Sequence, residues 1–239
     1  MEELAHVSDV ALTWLGVDDL TGGEIPREGA SVLLIDLADA RLRQLIHLPP
    51  SVRDVQDAAK PIAGPRDHFL ARRAMLRHLV ARRVGMTASN VVIGHAEDGR
   101  PQLVTPETPL HVSVSARGTL AALAISTLPV GVDLEPIGDP REPVWDMLHA
   151  RERGGVEAMW KREGADWPFL SIWTAKEAYL KAIGLGLKRE PARLHVSYET
   201  HEIFIIHDPE AQPHQYAGAT CRAAIGDTGI ICSVVVLPG

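Results

Sequence analysis

Three carboxylates and one ammonium have the spacing that chemistry would need. Asp133 and Glu135 lie two apart in the run Val130-Gly131-Val132-Asp133-Leu134-Glu135-Pro136. As a strand, this run turns both acids to one face and sends Val132 and Leu134 into the core, because side chains alternate with period two. Two carboxylates on one face repel unless something positive lies between them, and a divalent cation is the usual remedy. Glu177 and Lys181 lie in Trp173-Thr174-Ala175-Lys176-Glu177-Ala178-Tyr179-Leu180-Lys181-Ala182-Ile183-Gly184-Leu185-Gly186. There Trp173, Glu177 and Lys181 recur at helical spacing on one stripe, beside an apolar face of Ile172, Ala175, Tyr179, Ala182 and Ile183. Asp133, Glu135 and Glu177 would offer three hard oxygen ligands on two rigid elements. Such a set suits Mg²⁺ or Mn²⁺, with water and a ligand phosphate completing the octahedron. Zinc would want His or Cys, and the eleven histidines show no ligand spacing. No Gly-rich P-loop is present to hold a phosphate.

Plainer readings of the same residues stay open at this point. Thr174-x-x-Glu177 matches a capping box, and Glu177 with Lys181 matches an exposed i, i+4 ion pair worth about 0.3–0.5 kcal/mol. Asp133 and Glu135 could equally be solvent-facing acids on an edge strand, a place that Pro136 tolerates.

The elements that must position these residues can be read around them. Asp166-Trp167-Pro168 starts the helix, since proline fits a first turn and an acid favours the positive end of the dipole, and Gly184 and Gly186 end it. Upstream, Ala11 to Leu15 and Val32 to Ile35 read as strands, and Leu37 to Leu48 has helical spacing until Pro49-Pro50. After a loop around Lys60-Pro61, a helix carries Phe69, Leu70, Leu76, Leu79, Val80 and Val84 on its apolar face and stops at Gly85. Arg66, Arg73 and Arg77 share a stripe of that helix, which for any single arginine reads first as a solvated basic face. Six arginines against Asp67 between positions 66 and 83 nevertheless leave a local excess of five positive charges that could dock an anion. Val91 to Ile93 and Leu103-Val104 read as a hairpin around Asp98-Gly99. His111 to Ser115 and Leu120 to Ile125 read as a strand pair joined at Arg117-Gly118, and Leu128-Pro129 as a joint between two lobes.

The 239 residues suffice for one large domain or two modest lobes, and 46% hydrophobic with 23% charged content is ordinary for a soluble enzyme. A net charge of −7 argues against general nucleic-acid binding. No apolar run reaches the length of a membrane span, and Met1-Glu2-Glu3-Leu4 lacks a signal peptide's positive region, so a cytoplasmic location is expected. Cys221 and Cys232 fit no metal spacing and are expected as buried free thiols.

Gly131 to Glu135, followed some forty residues later by Trp173 to Lys181, resembles the paired motif of the 4′-phosphopantetheinyl transferases of the two-lobed, surfactin-synthetase-activating type. Gly99-Arg100-Pro101 is similar to that family's Gly-Lys/Arg-Pro element. Phe69-Leu70-Ala71-Arg72-Arg73-Ala74-Met75-Leu76-Arg77 is similar to its first-lobe helix. The likeness covers most of residues 60 to 190.

The resemblance implies an α+β fold of two pseudo-symmetric lobes, each a small, mostly antiparallel sheet packed on a long helix. Residues 1–127 would form the lobe that contacts coenzyme A phosphates, and 128–239 the lobe with the metal and catalytic residues, with the ligand cleft between them. Asp133, Glu135 and Glu177 would bind Mg²⁺ or Mn²⁺. Glu177 and Lys181 would be catalytic. Lys60, Arg66, Arg73, Arg100, Ser113 and Lys181 would contact substrate. The serine of an apo acyl or peptidyl carrier protein would attack the β-phosphate of coenzyme A, releasing 3′,5′-ADP, with Glu177 helping to deprotonate the serine directly or through water. A monomer with no nucleic-acid or membrane partner is expected. One departure stands out: the family's Ser-His-Ser, whose histidine touches the coenzyme A 3′-phosphate, is Ser113-Val114-Ser115 here. Alternation turns His111 to the face opposite Val114, so it does not simply replace the missing ring. A carrier-protein-binding relative with weakened coenzyme A binding, or an unrelated Mg²⁺-dependent phosphoester hydrolase, are the competing readings.

Overall fold

A computed structural model describes residues 11–60, 64–138 and 141–238. The opening Met1-Glu2-Glu3-Leu4, and Pro61 in the loop before the arginine-rich helix, lie outside the described residues. The chain is mixed α and β and divides into two compact units, Ala11–Leu128 and a second beginning at Pro129.

In the N-terminal unit, β1 (Leu12–Leu15), α1 (Val17–Thr21) and β2 (Ala30–Asp36) are followed by α2 (Arg43–Ile46), α3 (Val52–Ala58) and α4 (Arg66–Val84). The hairpin β3 (Val92–His95) and β4 (Pro101–Thr105) and the strands β5 (His111–Arg117) and β6 (Leu120–Ser126) complete it. The sheet order is β1-β2-β6-β5, with β1 and β2 parallel and the other neighbours antiparallel. The single helix expected over Leu37 to Leu48 is shorter. Asp39 is extended and its side chain accepts from Arg41 N, so the helical stretch starts only at Ala40 as a 3₁₀ turn before α2.

Helix α4 lays Met75, Leu76, Leu79 and Val80 against Leu33, Ile35, Leu123 and Ile125 of the sheet. Each such side chain contributes about 1.5–3 kcal/mol of transfer free energy. Gly85 takes the left-handed conformation that ends the helix, with φ of 75°. The arginine stripe is not a solvated face. Arg66 is exposed, but Arg73 and Arg77 are buried. For Arg77 burial is tolerated because its donors find acceptors: it donates to the carbonyls of Pro49, Ala88, Ser89 and Val91 and to Asp54 Oδ2.

In the C-terminal unit come β7 (Val130–Ile137), α5 (Ala150–Glu163) and α6 (Trp167–Ile183), then β8 (His195–Tyr198), β9 (Ile203–His207), β10 (Gln215–Ile225) and β11 (Thr228–Val236). The sheet is antiparallel throughout, in the order β7-β11-β10-β9-β8, so β7 is an edge strand. Helix α6 has proline in its first turn and ends at Gly184, with φ of 75°. It packs Ala175, Ala178, Tyr179 and Ala182 into a core with Phe204, Ile206 and Val235. Thr174 does not cap a helix. It sits inside α6, fully buried, and its hydroxyl meets the Ser171 carbonyl and Ser233 Oγ. Cys221 and Cys232 are free thiols directly opposite each other on β10 and β11; Cys232 is buried, whereas Cys221 is only half-buried. No helix among the described residues is long and apolar enough to cross a membrane.

Candidate active site

The carboxylates and the lysine singled out in the sequence are carried by β7 and α6, which lie backbone to backbone. At Gly131 an added Cβ would sit 1.9 Å from the Ala178 carbonyl oxygen and 2.4 Å from Ala182 N, so only glycine allows the helix this close to the strand. Alternation then turns Gly131, Asp133 and Glu135 toward the helix and Val132 and Leu134 to the other face, where both are fully buried. Lys181, on the next turn of α6, reaches across. Its Nζ donates to Asp133 Oδ1 at 2.7 Å and to the Val132 carbonyl at 3.0 Å. Asp133 is 1% exposed, so the expected solvent-facing acid is a buried one, and Lys181 is bonded to it instead of forming only a surface pair with Glu177. Glu135 and Glu177 are half-buried on the same two elements.

A second polar layer continues under α6. Ser233, paired with Asp133 in register, bonds Thr174 Oγ1 at 2.8 Å and Thr220 Oγ1 at 2.9 Å. Tyr198 extends it with a bond to the Ser171 carbonyl. Lys176, five residues before Lys181, points elsewhere: fully buried, it donates to Glu152 Oε2 at 2.7 Å and to the Met147 carbonyl at 3.0 Å. The second oxygen of Glu152 accepts from Val196 N. Burial lowers the Lys176 pKa, against the pull of Glu152. Trp173 is half-buried and stacks on Phe169.

Asp133, Glu135 and Glu177 are hard oxygen donors of the kind Mg²⁺ prefers, and the ammonium held by Asp133 marks the place as one that accepts a cation. Among the described residues, however, no three His, Cys, Asp or Glu side chains form a group that could hold a metal ion. The acids are brought onto adjoining elements without being gathered into a finished ligand cage.

The N-terminal unit holds a cluster of opposite sign. Asp57 on α3, 1% exposed, is approached by Lys60 Nζ at 2.8 Å, His95 Nδ1 at 2.9 Å, Arg73 Nη2 at 3.5 Å and Arg53 Nε at 3.6 Å. Burial would raise the pKa of Asp57, but the Lys60 hydrogen bond and the surrounding positive groups outweigh it, and the net shift is down. Lys60 and Arg73, expected as phosphate contacts, therefore meet at one carboxylate. Arg73 also crosses the Phe69 ring and donates to His95 Nε2 at 2.9 Å. Arg66 opens α4 on the surface, and Arg100 is exposed in the β3–β4 turn with its Nε bonded to Asp98 Oδ2. Ser113 is buried on β5, on the sheet face away from Val112 and Val114, which pack toward α4. Sequence reasoning missed His95 and Asp57. The signal for His95 was modest: it continues the Val91 to Ile93 strand by two residues, while its partner Asp57 lies far off in sequence.

Comparison with known proteins bears on the C-terminal unit most. Residues 129–226 match the model of the 4′-phosphopantetheinyl transferase superfamily. The human L-aminoadipate-semialdehyde dehydrogenase-phosphopantetheinyl transferase is 28% identical over 163 residues, 60% of this chain and 53% of that protein. The 4′-phosphopantetheinyl transferase gsp of Aneurinibacillus migulanus is 27% identical over 135 residues, 56% of this chain and 52% of that one. A 4′-phosphopantetheinyl transferase of Bacillus subtilis is 26% identical over 162 residues, 62% of this chain and 70% of that one. The chain spans about half the length of the mammalian relatives it matches. These matches bear out the resemblance first drawn from Gly131 to Glu135 and Trp173 to Lys181.

Proposed function

We propose an activity for a chain whose residues 129–226 belong to the 4′-phosphopantetheinyl transferase superfamily: it transfers 4′-phosphopantetheine from coenzyme A to a serine of an apo acyl or peptidyl carrier protein. The observation that carries the proposal is the contact of β7 with α6, where Gly131 lets the helix approach and Lys181 meets the buried Asp133. In this reading the C-terminal unit supplies the reacting groups and the N-terminal unit supplies phosphate contacts.

The serine oxygen of the carrier forms a bond to the β-phosphorus of coenzyme A, the bond to the bridging oxygen breaks, and 3′,5′-ADP leaves. Asp133, Glu135 and Glu177 would hold Mg²⁺ or Mn²⁺, which when bound supplies positive charge to offset that of the diphosphate. The hard-oxygen donor set supports this assignment. Lys181 fixes Asp133 through its Nζ and, being partly exposed, adds a cation where negative charge builds on the leaving group. Glu177 on the same stripe of α6 accepts the serine proton, directly or through water. Lys60, Arg66, Arg73, Arg100 and Ser113 contact the substrate, the guanidinium and ammonium groups offering charge-assisted hydrogen bonds to its phosphates. Incubation of the protein with coenzyme A, Mg²⁺ and an apo carrier protein tests the reading. A carrier that gains one phosphopantetheine supports it, and an unchanged carrier mass in the presence of bound coenzyme A contradicts it.

A further inference from the structure

Helix α5 is capped by a histidine. Ser, Thr, Asp and Asn are the side chains that usually cap a helix start, and none of them changes charge near neutral pH. In this chain the cap is His149, whose Nδ1 accepts from Arg151 N at 3.2 Å. A backbone N–H can only donate, so the bond needs the lone pair of Nδ1 and hence a neutral ring with its proton on Nε2. The other half of the cap is Glu152, whose Oε2 accepts from His149 N at 2.7 Å. Glu152 also ties the helix start to its neighbours, accepting from Lys176 Nζ on α6 and from Val196 N on β8.

A second histidine lies against the first. The ring of His195, at the start of β8, has its centroid 5.2 Å from that of His149, and His207 on β9 is the partner of His195 in register. The charged and titratable groups facing this pair are Arg151 and Glu152 from α5, Lys176 from α6 and His207 from β9. Glu152, the one carboxylate of that set, is already bonded to Lys176 at 2.7 Å, so little of its charge is left to hold an imidazolium. Burial, joined by the neighbouring His149, Arg151 and His207, lowers the His195 pKa against the pull of Glu152.

We infer that His149 and His195 form a proton-operated latch on the first turns of α5, closed while both rings are neutral and released when they take up protons. A proton on Nδ1 of His149 turns the acceptor of the cap into a donor facing the Arg151 donor, so that bond breaks. The same proton puts a positive charge at the positive end of the helix dipole, beside Arg151. A proton on His195 then sets two like charges on half-buried rings whose centroids are 5.2 Å apart. Each step favours an open helix start, in which the rings reach water. The open form takes up protons near the ordinary histidine pKa of about 6.5, whereas the closed form binds fewer at that pH, so the latch holds above this value and is lost as pH falls below it. Release separates Glu152 from His149 N and loosens the packing of Leu148 and Val156 against Phe169 and Trp173 of α6. The latch stands on these contacts alone and does not depend on the reaction proposed above.

The test is hydrogen exchange of the full chain followed by mass spectrometry from about pH 7.5 to about pH 5.5, with the protection of the first turns of α5 expressed relative to the intrinsic exchange rate at each pH. In the wild type that protection should fall by at least about tenfold over the last pH unit, the change expected when opening takes up one proton, while α6 keeps its own. His149→Asn retains a cap that does not titrate in this range and should lose most of the fall. His149→Ala has no cap and should show weak protection of the same turns already at the highest pH. His195→Gln keeps the cap and removes one titrating ring, so its fall should be shallower than that of the wild type. Should His149→Asn fail to fold, the wild-type and His195→Gln profiles decide. Wild-type protection that stays flat across the range would overturn the inference. So would a His149→Asn protein that follows the wild-type curve, or a loss of protection shared equally by α6, which is global acid unfolding and not a latch.

Discussion

Helices α4 and α6 each place two cations little more than a turn apart, and in both helices the two cations have different partners. On α4, Arg77 is held by four backbone carbonyls and Asp54, whereas Arg73 keeps a buried Nη1 with no hydrogen-bond partner beside a cavity. On α6, Lys176 is fully buried between Glu152 and the Met147 carbonyl, whereas Lys181 remains 26% exposed while bonded to Asp133. The cation whose donors all end on fixed backbone or on a closed ion pair holds the fold. The one that keeps an unbonded donor beside a cavity, or stays partly exposed while bonded to a buried carboxylate, is the one assigned to a ligand in the proposed function. Residue type does not distinguish them; the partners do.

That division predicts opposite signatures for the two members of each pair. Removing a fold-holding cation leaves an uncompensated buried acid, so Lys176→Met and Arg77→Met should each cost about 3–5 kcal/mol, read as a lower midpoint in urea unfolding. A variant of either that melts like the wild type would erase the distinction. The ligand-facing site should respond the other way. Asp133→Asn keeps the shape and loses the charge that Lys181 pairs with, and is expected to lower kcat by about 10²–10³ with little change in unfolding midpoint. If its loss appears instead as instability, Asp133 belongs with Glu152 as a structural acid.

The contrast also explains which parts were legible in the sequence. Helix α6, its stop at Gly184 and strand β7 were readable because apolar spacing, a left-handed glycine and period-two alternation are local signals. The burial of Arg73 and Arg77 was not, because a hydrophobic pattern counts arginine as polar, whereas its acceptors at Pro49, Asp54, Asp57, Ala88 and Val91 are brought in by the fold. Helix α5 was missed as well, its run of charges and the pair Gly154-Gly155 hiding the few apolar residues, such as Val156, that it buries. At the candidate site local patterns were enough to place Asp133 and Glu135 on one strand and Glu177 and Lys181 on one helix, while the bond from Lys181 to Asp133 needed the helix-on-strand contact at Gly131 to be seen.

Smaller effects refine the comparison further. Arg100 is exposed in the hairpin turn and bonded to Asp98, so Arg100→Ala should leave stability unchanged and weaken coenzyme A binding by about tenfold to a hundredfold, the loss of about 1.5–3 kcal/mol from one charged hydrogen bond. Unchanged affinity would make the turn purely structural. The smallest effect is on pH. His78, His95, His111 and His195 all have lowered pKa values, with burial the leading cause, so the unfolded chain binds more protons than the folded one just below the unfolded histidine pKa. Stability of the ligand-free protein should therefore fall as pH drops from about 6.5 through the folded-state values, and His95→Gln should soften that fall. A flat unfolding midpoint across that range would show that these rings titrate alike in both states.

The central claim is that the contact of β7 with α6 is the working part of a transferase, and one mass measurement tests it most directly. The purified chain is mixed with coenzyme A, Mg²⁺ and an apo carrier protein, and the carrier's intact mass is followed over time for the wild type and for Asp133→Asn. The expected result is one added phosphopantetheine per carrier with the wild type and a strongly slowed gain with the variant. A wild type that leaves the carrier unmodified while binding coenzyme A, or an Asp133→Asn protein that modifies it at the wild-type rate, would contradict the account.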